Sequence, residues 1–132
     1  MNHFGDDLAI HISMLHRYGS VFIGRALKEL DLGSSRHAYL LAVNDHPGAS
    51  QEQLSRIFGV DKANTARAVR RLEEKGYLRR EGDPEDGRAY RLFLTSEGAA
   101  TIDRIRGALA EWNGILNAAV PPEARDAFHA VI

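Results

Sequence analysis

Apolar residues recur along the first part of the chain at helical spacing. Leu8, Ile12, Leu15, Gly19, Phe22 and Ala26 are separated alternately by four and three residues, a heptad-like seam that predicts one long helix over residues 6–30. Gly33 interrupts the pattern, and Ser34 is a suitable cap for a second helix reaching about residue 45. Its run Ala38-Tyr39-Leu40-Leu41-Ala42-Val43 is apolar on nearly every side, so this helix is expected to be buried. Asp45-His46-Pro47-Gly48 then breaks the chain. Ser50-Gln51-Glu52-Gln53 is a capping box, in which the Ser hydroxyl accepts from the Gln53 amide and the Gln53 side chain reaches back. The short helix that follows is expected to face Leu54, Ile57 and Phe58 inward. Gly59 supplies a left-handed residue to end it, and Asp61 can cap the next helix.

Two helices joined by three residues, glycine first, form a helix-turn-helix. The second, over residues 62–75, places Thr65, Ala68, Val69 and Leu72 on its inner face and Lys62, Ala63, Asn64, Arg67, Arg70 and Arg71 outward. Beyond Gly76 the period changes to alternation. Residues 77–81 and 88–94 read as strands around an Asp-Pro-Glu-Asp turn, with Tyr90, Leu92 and Leu94 on one face and Arg91 on the other. A hairpin directly behind a helix-turn-helix is a wing. Thr95 or Ser96 then caps a long helix whose seam is Ile102, Ile105, Leu109, Trp112, Leu116 and Ala119, and a short helix over 123–132 follows Pro121-Pro122. The expected fold is mainly α with a β wing: one domain over 1–132, with a winged helix-turn-helix at 34–96 between terminal helices at 6–33 and 97–132. The two terminal seams either pack on each other within one chain or, as expected here, exceed what one helix-turn-helix covers. They predict a twofold homodimer using Leu8, Ile12, Leu15, Ile105, Leu109, Trp112 and Leu116.

Charge changes the picture more than composition does. The 132-residue chain has net charge −1, which argues against a polyanion partner. The average conceals an asymmetry: residues 50–95 carry ten Lys or Arg against eight acids, and the rest is net acidic. The basic side chains of that middle segment suit DNA. Asn64 can pair bidentately with adenine and Arg67 with guanine in a major groove, and Ala63 and Ala66 permit close approach or contact with a thymine methyl. Arg70 and Arg71 lie further along the helix, where phosphates are nearer. Arg88, at the return of the hairpin, can enter a minor groove. Asp83 and Asp86 flank it, and one of them is expected to fix the loop through backbone amides or a partner Arg.

The stretches Gly-Val-Asp-Lys-Ala-Asn-Thr-Ala-Arg, Arg-Arg-Leu-Glu-Glu-Lys-Gly-Tyr-Leu, Asp-Pro-Glu-Asp-Gly-Arg and Leu-Thr-Ser-Glu-Gly resemble the MarR family of winged-helix regulators. The resemblance covers nearly the whole chain. It implies a homodimer on a palindromic operator, usually as a repressor. It puts Lys62, Ala63, Asn64, Ala66 and Arg67 where the family reads bases, and Arg88 at the wing arginine. Ser50 and Gln51, which open the first helix of the motif, complete the candidate DNA-binding set. Asn64 and Ala66 stand where the family commonly has threonine or serine, so an operator sequence does not transfer. Resembling proteins often bind small phenolic or anionic effectors between dimer helices and winged domain, and His11, Arg17, Tyr18, Arg36, His37 and Tyr39 are the candidates for that role.

Other function classes fare worse. Without cysteine there is no disulfide, Cys-ligated zinc, iron–sulfur cluster or thiol peroxide sensor. His11 and His16 are five apart, about 140° around a helix, and do not converge on a metal. No nucleophile elbow, phosphate loop or metalloprotease motif is present, so neither an enzyme nor a cofactor is expected. The longest apolar run is too short to cross a bilayer, and Asp6 and Asp7 stand where a signal peptide would be basic. A cytoplasmic protein is expected. The remaining alternative is a winged helix that binds protein rather than DNA.

Overall fold

Local capping sets most of the element boundaries. The computed structural model describes residues 5–33 and 35–132. Helix α1 (Leu8–Ala26) starts at Asp7, whose carboxylate accepts from the Ile10 amide at 3.2 Å. It ends with the last seam residue, Ala26, four residues short of the predicted end at residue 30. A single 3-10 turn (Lys28–Leu30) and a left-handed Asp31 bend the chain, and the bend brings Leu27 and Leu32 into the core that Ile23 already occupies. Helix α2 (His37–Asp45) buries Tyr39, Leu40, Ala42 and Val43, as its apolar run predicts. The expected cap Ser34 lies outside the described residues.

Helix α3 (Gln51–Phe58) opens on the capping box: Gln53 N donates to Ser50 Oγ at 3.1 Å, and Ser50 N donates to the Gln53 side chain at 2.9 Å. Gly59 at φ 62° ends it, a conformation that costs other residues a Cβ clash. Helix α4 (Lys62–Glu74) is capped by Asp61 and buries Thr65, Ala68, Val69 and Leu72, the face the sequence predicts. On α3 one inward expectation fails. Ile57 is 51% exposed, because the helix turns Leu54, Ser55 and Phe58 to the core and Ile57 lies off that face. Buried Ser55 donates to Oγ1 of buried Thr65 at 2.9 Å, a polar link between the two helices of the motif. Thr65→Val keeps the shape but strands the Ser55 hydroxyl. It is expected to lower unfolding free energy by about 1 kcal/mol in a urea melt, and adding Ser55→Ala should recover part of that loss. A double variant no better than Thr65→Val would show that the link carries no such role.

Strands β1 (Leu78–Gly82) and β2 (Tyr90–Leu94) form the wing, in antiparallel register from Leu78 opposite Leu94 to Gly82 opposite Tyr90. The other edge of β2 is also engaged. Leu92 N donates to Ala49 O at 2.9 Å, and Gly48 N donates to Leu92 O at 2.8 Å, tying the wing to the residues that lead into α3. Leu92 is fully buried, whereas Tyr90 on the same face extends past the core and is half exposed under Arg80. Helix α5 (Ser96–Ala119) follows the Thr95 cap, and α6 (Pro122–Val131) follows Pro121. One hydrophobic core joins the second half of α1, helices α2 to α5 and both strands, so α1 and α5 are not a body separate from the winged helix. Fully buried Ile105 belongs to that core, which corrects its assignment to the dimer interface. Leu109 and Trp112 pack against the same core, with Trp112 lying over Gly19 and 5.5 Å from the Phe22 ring. Leu8, Ile12 and Leu15, by contrast, emerge from it, and Leu8 is 70% exposed.

Candidate nucleic-acid interface

Ion pairing sorts the ten Lys and Arg side chains of residues 50–95 into two sets. Arg56 pairs with Glu52, Lys75 with Asp31 at 2.5 Å, Arg79 with Glu81 and Arg80 with Glu73 at 2.7 Å. Arg71 also joins this set, with Asp31 and Glu74 each at 4.0 Å. That differs from its expected place on the phosphate-facing side: α4 turns Arg71 toward the loop after α1, at the edge of ion-pair distance from two exposed carboxylates. Lys62, Arg67, Arg70, Arg88 and Arg91 make no ion pair among the described residues. All five are exposed. Within residues 50–95, the positive charge without a carboxylate partner therefore lies on the outer face of α4 and on the wing.

On α4, Lys62, Ala63, Asn64, Arg67 and Arg70 are exposed as expected, and Ala66 is half buried. Asp61 accepts from the Asn64 backbone amide at 2.7 Å, which holds its carboxyl below the usual carboxylate range and keeps it ionised at neutral pH. Ser50 and Gln51 are half buried at the start of α3, and the Ser50 hydroxyl is engaged as the cap. Both line a cleft of about 740 Å³ whose other wall is the wing, Asp83 to Asp86 and Arg88 to Arg91. Arg91 was absent from the sequence-derived site. Its guanidinium lies beside Gly48, where an added Cβ would come within 2.8 Å of it. The strand alternation that sent Arg91 away from Leu92 was the available signal.

The wing tip is held by its own acids. Asp83 accepts from Glu85 N at 2.9 Å and Asp86 from Arg88 N at 3.0 Å, while backbone bonds from Asp83 N to Ala89 O and from Ala89 N to Asp86 O close the loop. These are Asx turns, and the backbone that carries Arg88 is one of their donors. Asp86→Ala is expected to weaken duplex binding about threefold to tenfold with an unchanged melting temperature. An unchanged affinity would leave Asp86 with a turn-forming role alone.

The candidate effector residues do not come together. Arg17 and His37 line one cleft of about 470 Å³ with Ser20, Val21, Leu27 and Lys28, between α1 and the start of α2. Burial holds the His37 imidazole below its usual range, so it is neutral at pH 7. Tyr18 faces a different hollow, beside Leu15, Phe22 and Trp112. Arg36 donates to Leu32 O at 2.9 Å, and His11 lies outside both linings. Tyr39 is buried with its ring 4.7 Å from Phe58, a core position rather than a ligand contact. Among the described residues, no three His, Asp or Glu side chains are grouped as metal ligands, and no helix is long and apolar enough to cross a membrane.

Comparison with known proteins agrees with this geometry. Residues 30–89 match the model of the MarR family. The chain is 30% identical over 108 residues to the HTH-type transcriptional regulator BilQ of Clostridioides difficile, covering 82% of this chain and 73% of that protein. A crystal structure of MarR superposes with a TM-score of 0.85 at 36% identity, over 98% of this chain and 90% of the other. A MarR transcriptional regulator from Methanosarcina mazei Go1 superposes with a TM-score of 0.85 at 32% identity, over 94% and 90%.

Proposed function

The chain belongs to the MarR family of DNA-binding transcriptional regulators, and from that premise we propose that it acts as a homodimeric repressor of a palindromic operator. The observation that carries the proposal is the sorting of charge. Within residues 50–95, the basic side chains without a carboxylate partner are those on the outer face of α4 and on the wing. In this reading α4 enters a major groove, Arg67 reads a base edge, Lys62 and Arg70 contact phosphates, and Arg88 reaches the adjacent minor groove. Arg91, in the cleft beside Ser50 and Gln51, meets the backbone between them. Exposed Leu8, Ile12, Leu15 and Tyr18 on α1 and Phe128 on α6 support a twofold partner that covers both termini. That partner would set two α4 helices about one turn of DNA apart. The cleft of Arg17, Lys28 and His37, with its apolar Val21 and Leu27 wall and its one carboxylate, Asp31, engaged by Lys75, supports release by a small anionic effector. To move the protein between bound and released states, such a ligand must favour the released form by roughly 5.5 kcal/mol.

The test is selection of bound duplexes from a random pool at one salt concentration near physiological. Enrichment of a palindrome with half-sites about 10 base pairs apart is expected. A folded, dimeric, effector-free protein that enriches nothing would overturn DNA recognition in favour of a protein-binding winged helix.

A further inference from the structure

Asn64 is held from both sides along the outer face of α4. Its Nδ2 donates to Asp61 Oδ2 at 2.6 Å, and its Oδ1 accepts from the Arg67 guanidinium. The direction of this chain is dictated by chemistry: an ionised carboxylate can only accept and a guanidinium can only donate. The amide nitrogen must therefore face Asp61, and the amide oxygen must face Arg67. Asp61 is itself fixed, because its other oxygen caps the helix at the Asn64 amide. The result is a relay, Asp61 to Asn64 to Arg67, climbing one face of the helix in two steps of three residues. Bidentate pairing with adenine requires carbonyl and amide to meet one base edge together. Here they are turned to neighbours on opposite sides, three residues before and three after. Arg67, in contrast, keeps further donors and has no acid within ion-pair distance.

We propose that Asn64 is a positioning residue rather than a base reader: anchored on Asp61, it orients the Arg67 guanidinium, and Arg67 alone specifies a guanine in each half-site. This rests on α4 being the helix that enters the groove. A long, flexible side chain held before contact loses less freedom on binding, and a guanidinium held at one angle discriminates base edges more sharply. The inference also revises the sequence expectation that Asn64 reads adenine.

The experiment is duplex selection by three forms of the full chain: wild type, Asn64→Ala and Arg67→Ala. Alanine at either exposed position favours the helix, so folding is preserved. The wild type is expected to enrich a site with one guanine position per half-site that depends on Arg67. Arg67→Ala should lose preference there entirely. Asn64→Ala should lose about tenfold of the preference at that same base pair and none elsewhere. Loss at a different base pair in Asn64→Ala would make Asn64 a reader in its own right and overturn the proposal, as would an unaltered preference. Failure of the wild type to enrich any site would instead bring down the DNA-binding role of α4, and this inference with it.

Discussion

Replacing Arg67 and Arg88 together by glutamate is expected to weaken binding to the selected operator by at least about a thousandfold at fixed salt, with little change in melting temperature. Each arginine contributes about 1–3 kcal/mol through a groove contact, and a twofold dimer loses both contacts twice. Reversed charge adds repulsion from phosphates that the wild type attracts, so the residual binding should also show a shallower dependence on salt. Stability should hold because both side chains are exposed and neither makes an ion pair among the described residues. Arg71→Glu provides the contrast. Arg71 faces Asp31 and Glu74 rather than the outer side of α4, so its reversal should disturb the corner between α1 and α4 more than the DNA. Gel shift with the selected duplex, beside a thermal melt, checks both variants. A double variant that still binds within tenfold of wild type would move the DNA face away from α4 and the wing.

That contrast marks where sequence reading stops. Period and capping made the elements legible: Ser50, Asp61 and Thr95 all cap where their chemistry says they should, and the inner face of α4 is the predicted one. These signals are local, each written within four residues. Tertiary partners are not local. Arg70 and Arg71 are equivalent as letters on a helix, and only the fold brings Asp31, forty residues upstream, against one of them. Ile105 and Leu8 are likewise equivalent members of heptad seams, yet one is fully buried in the chain's own core and the other stands in solvent. Periodicity reports that a face is apolar without reporting what covers it. The same blindness explains Tyr39, which was a polar-tipped aromatic on paper and is a ring packed on Phe58 in the fold. Asn64, on the proposal above, differs in kind. Its amide can serve a base or a neighbouring guanidinium equally well, and the choice depends on Asp61 three residues before it.

The largest effect on stability is expected at Gly98, a position that no charge or seam argument singles out. It is buried in the first turn of α5, and a Cβ added there would lie 2.1 Å from the carbonyl oxygen of Tyr77. Backbone cannot rotate away as a side chain can. That carbonyl also accepts from Thr95 N at 3.1 Å, while the Thr95 hydroxyl donates to Gly76 O at 2.5 Å and accepts from Gly98 N at 3.0 Å. Gly76 and Tyr77, which link α4 to the wing, and the start of α5 therefore meet at one bonded corner. Gly98→Ala must open it, at a cost of about 3 kcal/mol, or about 10 °C in melting temperature for a chain of this size. Gly107→Ala, on the same helix with no atom near the added methyl, should instead raise stability by about 0.5–1 kcal/mol through helix propensity alone. If Gly98→Ala stabilises as Gly107→Ala does, the corner is not under the constraint described. If it destabilises as expected, DNA affinity measured well below the lowered melting temperature tells more. The corner sets the wing against α5, so a folded Gly98→Ala protein should bind its operator more weakly than its folded fraction accounts for.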